Sequence, residues 1–434
     1  MRILLLNQFY YPDIAATAQL CTDWAEDLVR LGHDVTVLCG SGRYRQPHRG
    51  RVPEQLVPLP RDEVHQGVRI VRVPVEDSPP SISATPSQWE NLGRLAGRLS
   101  GYGQFLARAL WALRQLPRPD VVVALTTPPL VGALGLAASR LFAARLVLWV
   151  QDVYPDLLAA MGLSRVGSPL YRSLEVFSRQ LYRSADKIIA LDEAMADRLL
   201  VAGASSWQLR IIDHFADSRE LQLLPRWPSS LRAELGLSDE FVVCYAGNHG
   251  RGHDFDTIVQ ALSCQAVSLG SPPIHWLFVG DGDEKARLLA RVPDAMRPYV
   301  HSLPPQARPK LGEVLAAGDI GLVSVKAEMQ GLLAPSKLYG LLAAGRPLAY
   351  IGPERGRIPA LLREHDLGIA VRNGEGAALL AGLRMIMEDP SRWQRMSTLA
   401  RHLAETRFDR ALAMAAHARV LESVLREAPC ERSG

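Results

Sequence analysis

The chain has 434 residues, 48% of them hydrophobic and 22% charged, with a formal net charge of +4. That length divides most simply into two large domains, and the balance excludes a disordered or fibrous protein. The slight basic excess agrees with a phosphate-bearing substrate or an anionic membrane surface without demonstrating either. Cys21, Cys39, Cys244, Cys264 and Cys430 are odd in number and lack C-x-x-C spacing, so neither a disulfide framework nor a zinc site is indicated and a cytoplasmic setting is expected. The apolar start at residues 1–6 breaks at Asn7-Gln8 and reads as a first strand rather than a leader. No apolar run reaches the roughly 18 residues of a membrane span, which leaves peripheral attachment to the inner face of the cell membrane as the only membrane option.

Residues 3–6 predict a strand, the recurrence of Leu20, Trp24, Leu28 and Leu31 predicts a helix that Gly32 stops, and residues 35–38 predict a second strand. This β-α-β order implies a parallel sheet, whose ligands bind beyond the carboxyl ends of the strands. The loop of residues 9–17 therefore points at the site, with Ala16 and Thr17 small enough for close approach. Residues 43–61, rich in Arg, Pro and Gly, read as a long excursion on the ligand side. Residues 68–75 predict another strand. From Leu92 an amphipathic helix follows with Arg94, Arg98 and Arg108 grouped on one face, either solvated or resting on anionic lipid. Residues 121–125 and 146–150 are continuous apolar runs typical of covered parallel strands. The second runs out in Gln151-Asp152-Val153-Tyr154-Pro155-Asp156, which makes Asp152 a candidate acid, base or hydroxyl-orienting group, with helix capping as the bland alternative. Residues 187–191 and 209–212 complete the first set of strands.

Periodicity lapses over residues 218–230, a linker, and a second α/β series begins. A strand at 241–246 enters the turn Gly247-Asn248-His249-Gly250-Arg251-Gly252-His253-Asp254 ahead of a helix at 255–262. Glycines permit close backbone approach, a helix start offers N–H groups and Arg251 can clamp a phosphate. Strands at 274–279, 300–303 and 320–325 end at Gly280, at Ser302-Leu303 and near Ser324. The second domain thus sends several loops to one side of a sheet. There Ala334-Pro335-Ser336-Lys337-Leu338 opens a helix that Gly345-Arg346-Pro347 closes, and Pro335, Ser336 and Lys337 sit where an anion would bind. The rest is helical in pattern.

These segments together resemble the GT-B-fold glycosyltransferases, specifically the large retaining family 4 and its branch that makes bacterial surface polysaccharides of the colanic acid and O-antigen type. The likeness rests on Asn7 to Pro12 with Gly32-His33-Asp34-Val35, on Gln151 to Asp156, on Tyr245 to Arg251, and on Pro335 to Gly340 with Ala343 to Pro347. It implies an α/β fold of two Rossmann-like parallel-sheet domains facing a cleft. An acceptor domain would span 1–217, a nucleotide-sugar domain 231–405, and a C-terminal helix in 406–434 would cross back. It further implies donor contacts from Ala16, Thr17, Gly247, Asn248, His249, Gly250, Arg251, His253, Gly280, Ser302, Leu303, Pro335, Ser336, Lys337 and Leu338, and acceptor contacts from Tyr11, Gln151, Asp152 and Tyr154. Two departures stand out: Gly340 replaces the family's ribose-binding glutamate, and Gln151 replaces a histidine.

The resulting expectation is retaining transfer of a sugar from a nucleotide diphosphate sugar to a saccharide or polyprenyl-diphosphate-linked acceptor, or another acceptor, in surface polysaccharide synthesis. The donor is expected to be UDP-linked and to carry an N-acetylamino or fucose-type sugar. Asp152, Arg251 and Lys337 would be the catalytic residues, without metal or other cofactor, and nucleic acid is not expected as a partner. Asp281-Gly282-Asp283 reads as a strand-end turn rather than a metal motif. A soluble natural-product or protein glycosyltransferase, a GT-B nucleotide-sugar epimerase and a non-catalytic binding module remain the alternatives.

Overall fold

A computed structural model describes residues 1–13, 15–41, 59–75, 88–126, 129–221, 230–268 and 272–427, with side chains of the second helix described from residue 100 onward. The chain folds as two sheets. The first contains β1 (Arg2–Leu6), β2 (Asp34–Gly40), β3 (Asp62–His65), β4 (Val68–Val73), β5 (Val121–Leu125), β6 (Arg145–Trp149), β7 (Lys187–Ala190) and β8 (Leu209–Ile211) in the order β3-β4-β2-β1-β5-β6-β7-β8. All neighbours are parallel except β3 against β4. The second contains β9 (Phe241–Ala246), β10 (Ile274–Val279), β11 (Val300–Leu303), β12 (Ile320–Ser324), β13 (Leu348–Ile351) and β14 (Gly368–Val371), ordered β11-β10-β9-β12-β13-β14 and wholly parallel.

The apolar runs form the central strands, and β1, β5, β6, β9 and β12 are buried along almost their whole length. Burial on both faces is what continuous runs require and what parallel sheets supply. The excursion at 43–61 falls mostly outside the described residues, and directly after it comes the antiparallel edge strand β3, which the sequence pattern does not reveal. The predicted basic helix spans Gln88–Ala112. Arg94 and Arg98 have side chains outside the described set, whereas Arg108 donates to the Pro74 carbonyl at 2.6 Å and so faces the protein's own chain rather than a free lipid surface.

The two domains are held together firmly. The final helix, Arg410–Arg426, packs on the first sheet, where His417 meets the Trp149 ring edge-on at 4.6 Å and lies 6.1 Å from Trp24. Arg410 pairs with Asp23 and Asp27, and Glu427 reaches the buried Lys187 at 2.8 Å. Across the cleft, Arg308 bonds Asp23 at 2.8 Å, and Arg357 pairs with Asp213 and with Glu193. Tyr339 donates to Asp213 at 3.0 Å. Burial raises the Asp213 pKa despite the Arg357 charge beside it. Among the described residues no helix is long and apolar enough to cross a membrane.

Candidate functional site

Three strand ends of the second sheet interlock to form the floor of the site. Gly247 N–H donates to the Val279 carbonyl, Gly280 N–H to Leu303 and His249 N–H to Asp281. Gly280 has φ +123°, and a Cβ there would lie 2.1 Å from the Gly247 carbonyl oxygen. Gly280→Ala therefore strains a backbone that has no side chain to move aside, and is expected to destabilise the protein by about 3 kcal/mol or more, read as a lower thermal midpoint. Gly247, at φ +133°, leaves room for Lys337, whose Cε would lie 2.6 Å from any Cβ at that position.

Lys337 is the centre of this arrangement. Its ammonium stands 4.7 Å over the Tyr245 ring and 3.3 Å from His253 Nε2. His253 Nδ1 lies 2.6 Å from the Ser324 carbonyl, so that nitrogen carries the hydrogen and Nε2 presents its lone pair to the ammonium. Burial first, and the Lys337 charge second, push the His253 pKa down to about 3. Burial alone pulls Lys337 down to about 7, and no carboxylate pairs with it among the described residues. His253 thus presents a neutral acceptor to the Lys337 ammonium rather than a second positive charge.

Other expected donor contacts take different places. His249 is fully buried among Tyr245, Phe255 and Phe278, its pKa pushed down to about 3 chiefly by burial, so its imidazole belongs to the core. Asn248 is exposed at the turn, and its carbonyl accepts from Tyr245 Oη at 2.8 Å. Arg251 is exposed and only 3.7 Å from the equally exposed Asp283, a weak pair that a phosphate readily displaces. The N–H groups at the start of the helix Asp256–Val267 are not open to a ligand. Asp254 accepts from Asp256 and Thr257 and occupies that end. The Leu303 carbonyl is taken by Gly280 N–H and by Lys285 Nζ at 2.6 Å, which leaves exposed Ser302 and the rest of that strand end to meet a base. Asp281 Oδ1 accepts from Gly282 N–H, and Asp283 faces Arg251. Among the described residues no group of three His, Cys, Asp or Glu is arranged to hold a metal ion.

The helix after the second anion loop begins at Lys337, two residues beyond Pro335, and Ser336 leaves it uncapped with its own side chain exposed. Leu338 is buried in the core and can offer a ligand only backbone. At Gly340 an added Cβ would meet only Leu315 at 3.6 Å and Leu221 at 3.9 Å, which is ordinary contact, so the absent glutamate leaves space rather than a filled pocket. In the first domain, Ala16 and Thr17 form the first turn of the helix Ala16–Arg30 beyond β1.

The acceptor candidates divide. Asp152 forms an antiparallel bridge with Leu333, and Val153 N–H donates to the Leu332 carbonyl at 3.0 Å, so the β6 strand end meets the loop that carries Ser336 and Lys337. Gln151 is buried beside it, and Tyr154 is half-buried with its hydroxyl pKa raised by burial and by Asp152. Tyr11 is not brought to this place. Its ring stacks on His65 of β3 at 3.8 Å, five strand positions from β6 or about 24 Å across the sheet. Sequence reasoning missed Thr126, Asp254 and Lys285, whose roles depend on partners distant in the chain or on backbone groups.

Two facing α/β domains, with glycine-lined strand ends and an uncompensated lysine on one side and an aspartate strand end on the other, have the architecture of the GT-B glycosyltransferases. Residues 17–213 match the model of the glycosyl transferase 4-like domain. The chain is 25% identical over 417 residues to WcaI of Escherichia coli K12, which is assigned to colanic acid biosynthesis as a glycosyl transferase, covering 94% of this chain and 97% of that one. It is 26% identical to a Pseudomonas aeruginosa protein designated glycosyltransferase WbjE, over 67% of this chain and 74% of that one. Its fold is similar to that of Anabaena Alr3699/HepE, solved with UDP and glucose, with a TM-score of 0.69, 18% identity and coverage of 98% and 100%. The chain has the fold of the GT-B glycosyltransferases. Its first domain matches the glycosyl transferase 4-like domain, and the chain resembles family 4 members named for bacterial surface polysaccharide synthesis.

Proposed function

We propose that this enzyme moves a sugar from a UDP-linked donor, of the N-acetylamino or fucose type, to a lipid-linked saccharide with retention at the anomeric carbon. The observation that carries the reading is the buried, uncompensated Lys337 set against the Gly247 turn with Arg251 nearby, since a leaving diphosphate supplies the charge this ammonium lacks. The reading calls for no metal, because the developing negative charge falls on Lys337 and Arg251. Asp152 orients or deprotonates the acceptor hydroxyl. The structural relative solved with UDP and glucose supports a UDP-linked donor, and the relative assigned to colanic acid biosynthesis supports a saccharide acceptor. Exposed Leu110 and Trp111, close in sequence to exposed Arg114, support peripheral docking on an anionic membrane that presents a polyprenyl-linked acceptor.

A thermal-shift screen over UDP, GDP and ADP and their sugars tests the donor. At a hundredfold excess over Kd, a ligand of the folded state adds about 2.7 kcal/mol of stability. UDP and UDP-sugars are expected to raise the midpoint most, and the absence of a shift with every nucleotide would overturn the assignment.

A further inference from the structure

We propose that Thr126, at the end of β5, is a positioning residue for the transfer step, an inference that rests on the reading of Asp152 given above. Where β6 ends, its successive N–H groups pass from the strand ladder to acceptors elsewhere. Val150 N–H donates to the Ile189 carbonyl of β7 at 3.0 Å. Gln151 and Asp152 N–H both donate to Thr126 Oγ1, at 3.0 and 3.1 Å. Val153 N–H crosses to the Leu332 carbonyl of the second domain. Thr126 is buried, so water cannot replace its oxygen.

The Thr126 bonds hold the Asp152 backbone from within the first domain. The Leu332 bond and the Asp152–Leu333 bridge exist only while the domains are together. One hydroxyl therefore ties down the backbone on either side of the Gln151–Asp152 peptide and with it the residue that carries the carboxylate. A threonine suits the task because it accepts two N–H groups while its methyl stays in the apolar strand end. Valine has the same shape and would remove the acceptor that both N–H groups share, one of them buried.

The test uses the full chain. Hydrogen exchange by mass spectrometry over residues 150–156 is expected to quicken about tenfold or more in Thr126→Val and to stay near wild type in Thr126→Ser. Release of UDP from a mixture of UDP-glucose, UDP-galactose and UDP-N-acetylglucosamine, with a lipid-linked saccharide present, should show kcat down about tenfold in Thr126→Val, KM for the donor unchanged and kcat restored in Thr126→Ser. In an Asp152→Asn background the valine change should cost little more, because both act on one group. Unchanged exchange in Thr126→Val, or failure of serine to restore kcat, overturns the inference. Full turnover in Asp152→Asn alone overturns instead the reading of Asp152, and exchange would distinguish the two failures.

Discussion

Lys337→Met is expected to weaken UDP binding by about 10- to 100-fold while raising the thermal midpoint of the ligand-free protein. The two effects share one cause. In the folded chain burial holds Lys337 near pH 7, against about 10.4 for an unfolded lysine, so between those values the unfolded state binds the extra proton. Stability of the free protein therefore rises with pH across that window, and methionine removes both the slope and the cost of burying the charge. A diphosphate reverses the preference, since its negative charge favours the ammonium. Binding then takes up a proton above pH 7, and affinity should fall by up to about tenfold per unit from pH 7 to 9. Calorimetry of UDP binding in two buffers of different ionisation heat measures that uptake. Lys337→Arg, which stays charged, should flatten the pH profile even where its longer side chain lowers affinity.

Asp152→Asn is expected to lower kcat by about 10²- to 10⁴-fold with UDP affinity unchanged. Asparagine keeps the size of the side chain, and the contacts that place this residue in the cleft are made by its backbone, to Leu333 and to Thr126, so the substitution leaves the domain contact in place. What it removes is the negative charge facing the acceptor hydroxyl. The change should therefore appear in turnover rather than in the thermal midpoint, and a matching loss of UDP affinity would point to a role in donor binding.

The sheets were legible because their strands are short continuous apolar runs bounded by turn residues. β3 was not, since Asp62-Glu63-Val64-His65 is a half-exposed edge strand whose pairing with β4 gives it shape. β14 is four residues long and only partly buried, too short a pattern to recognise alone. At the site, Lys337, Arg251 and Asp152 could be picked out because each is a charged residue at the edge of an apolar element. Their surroundings could not. That Asp254 fills the helix end beside the glycine turn, that His253 stays neutral because it is buried next to the Lys337 charge, and that Tyr11 stacks far off on His65 are all outcomes of three-dimensional neighbourhood. The resemblance placed the donor motifs in order, and the geometry separates them: the Lys337 ammonium faces His253, and His249 packs in the core.

The central claim is that Arg251 and Lys337 stabilise a leaving nucleotide diphosphate. Release of UDP from UDP-sugars in the presence of a lipid-linked saccharide, compared between the wild-type protein and the Arg251→Ala/Lys337→Ala double variant, tests it most directly. The account predicts that the double variant, folded by circular dichroism, loses transfer altogether. Full turnover in that folded variant would contradict it.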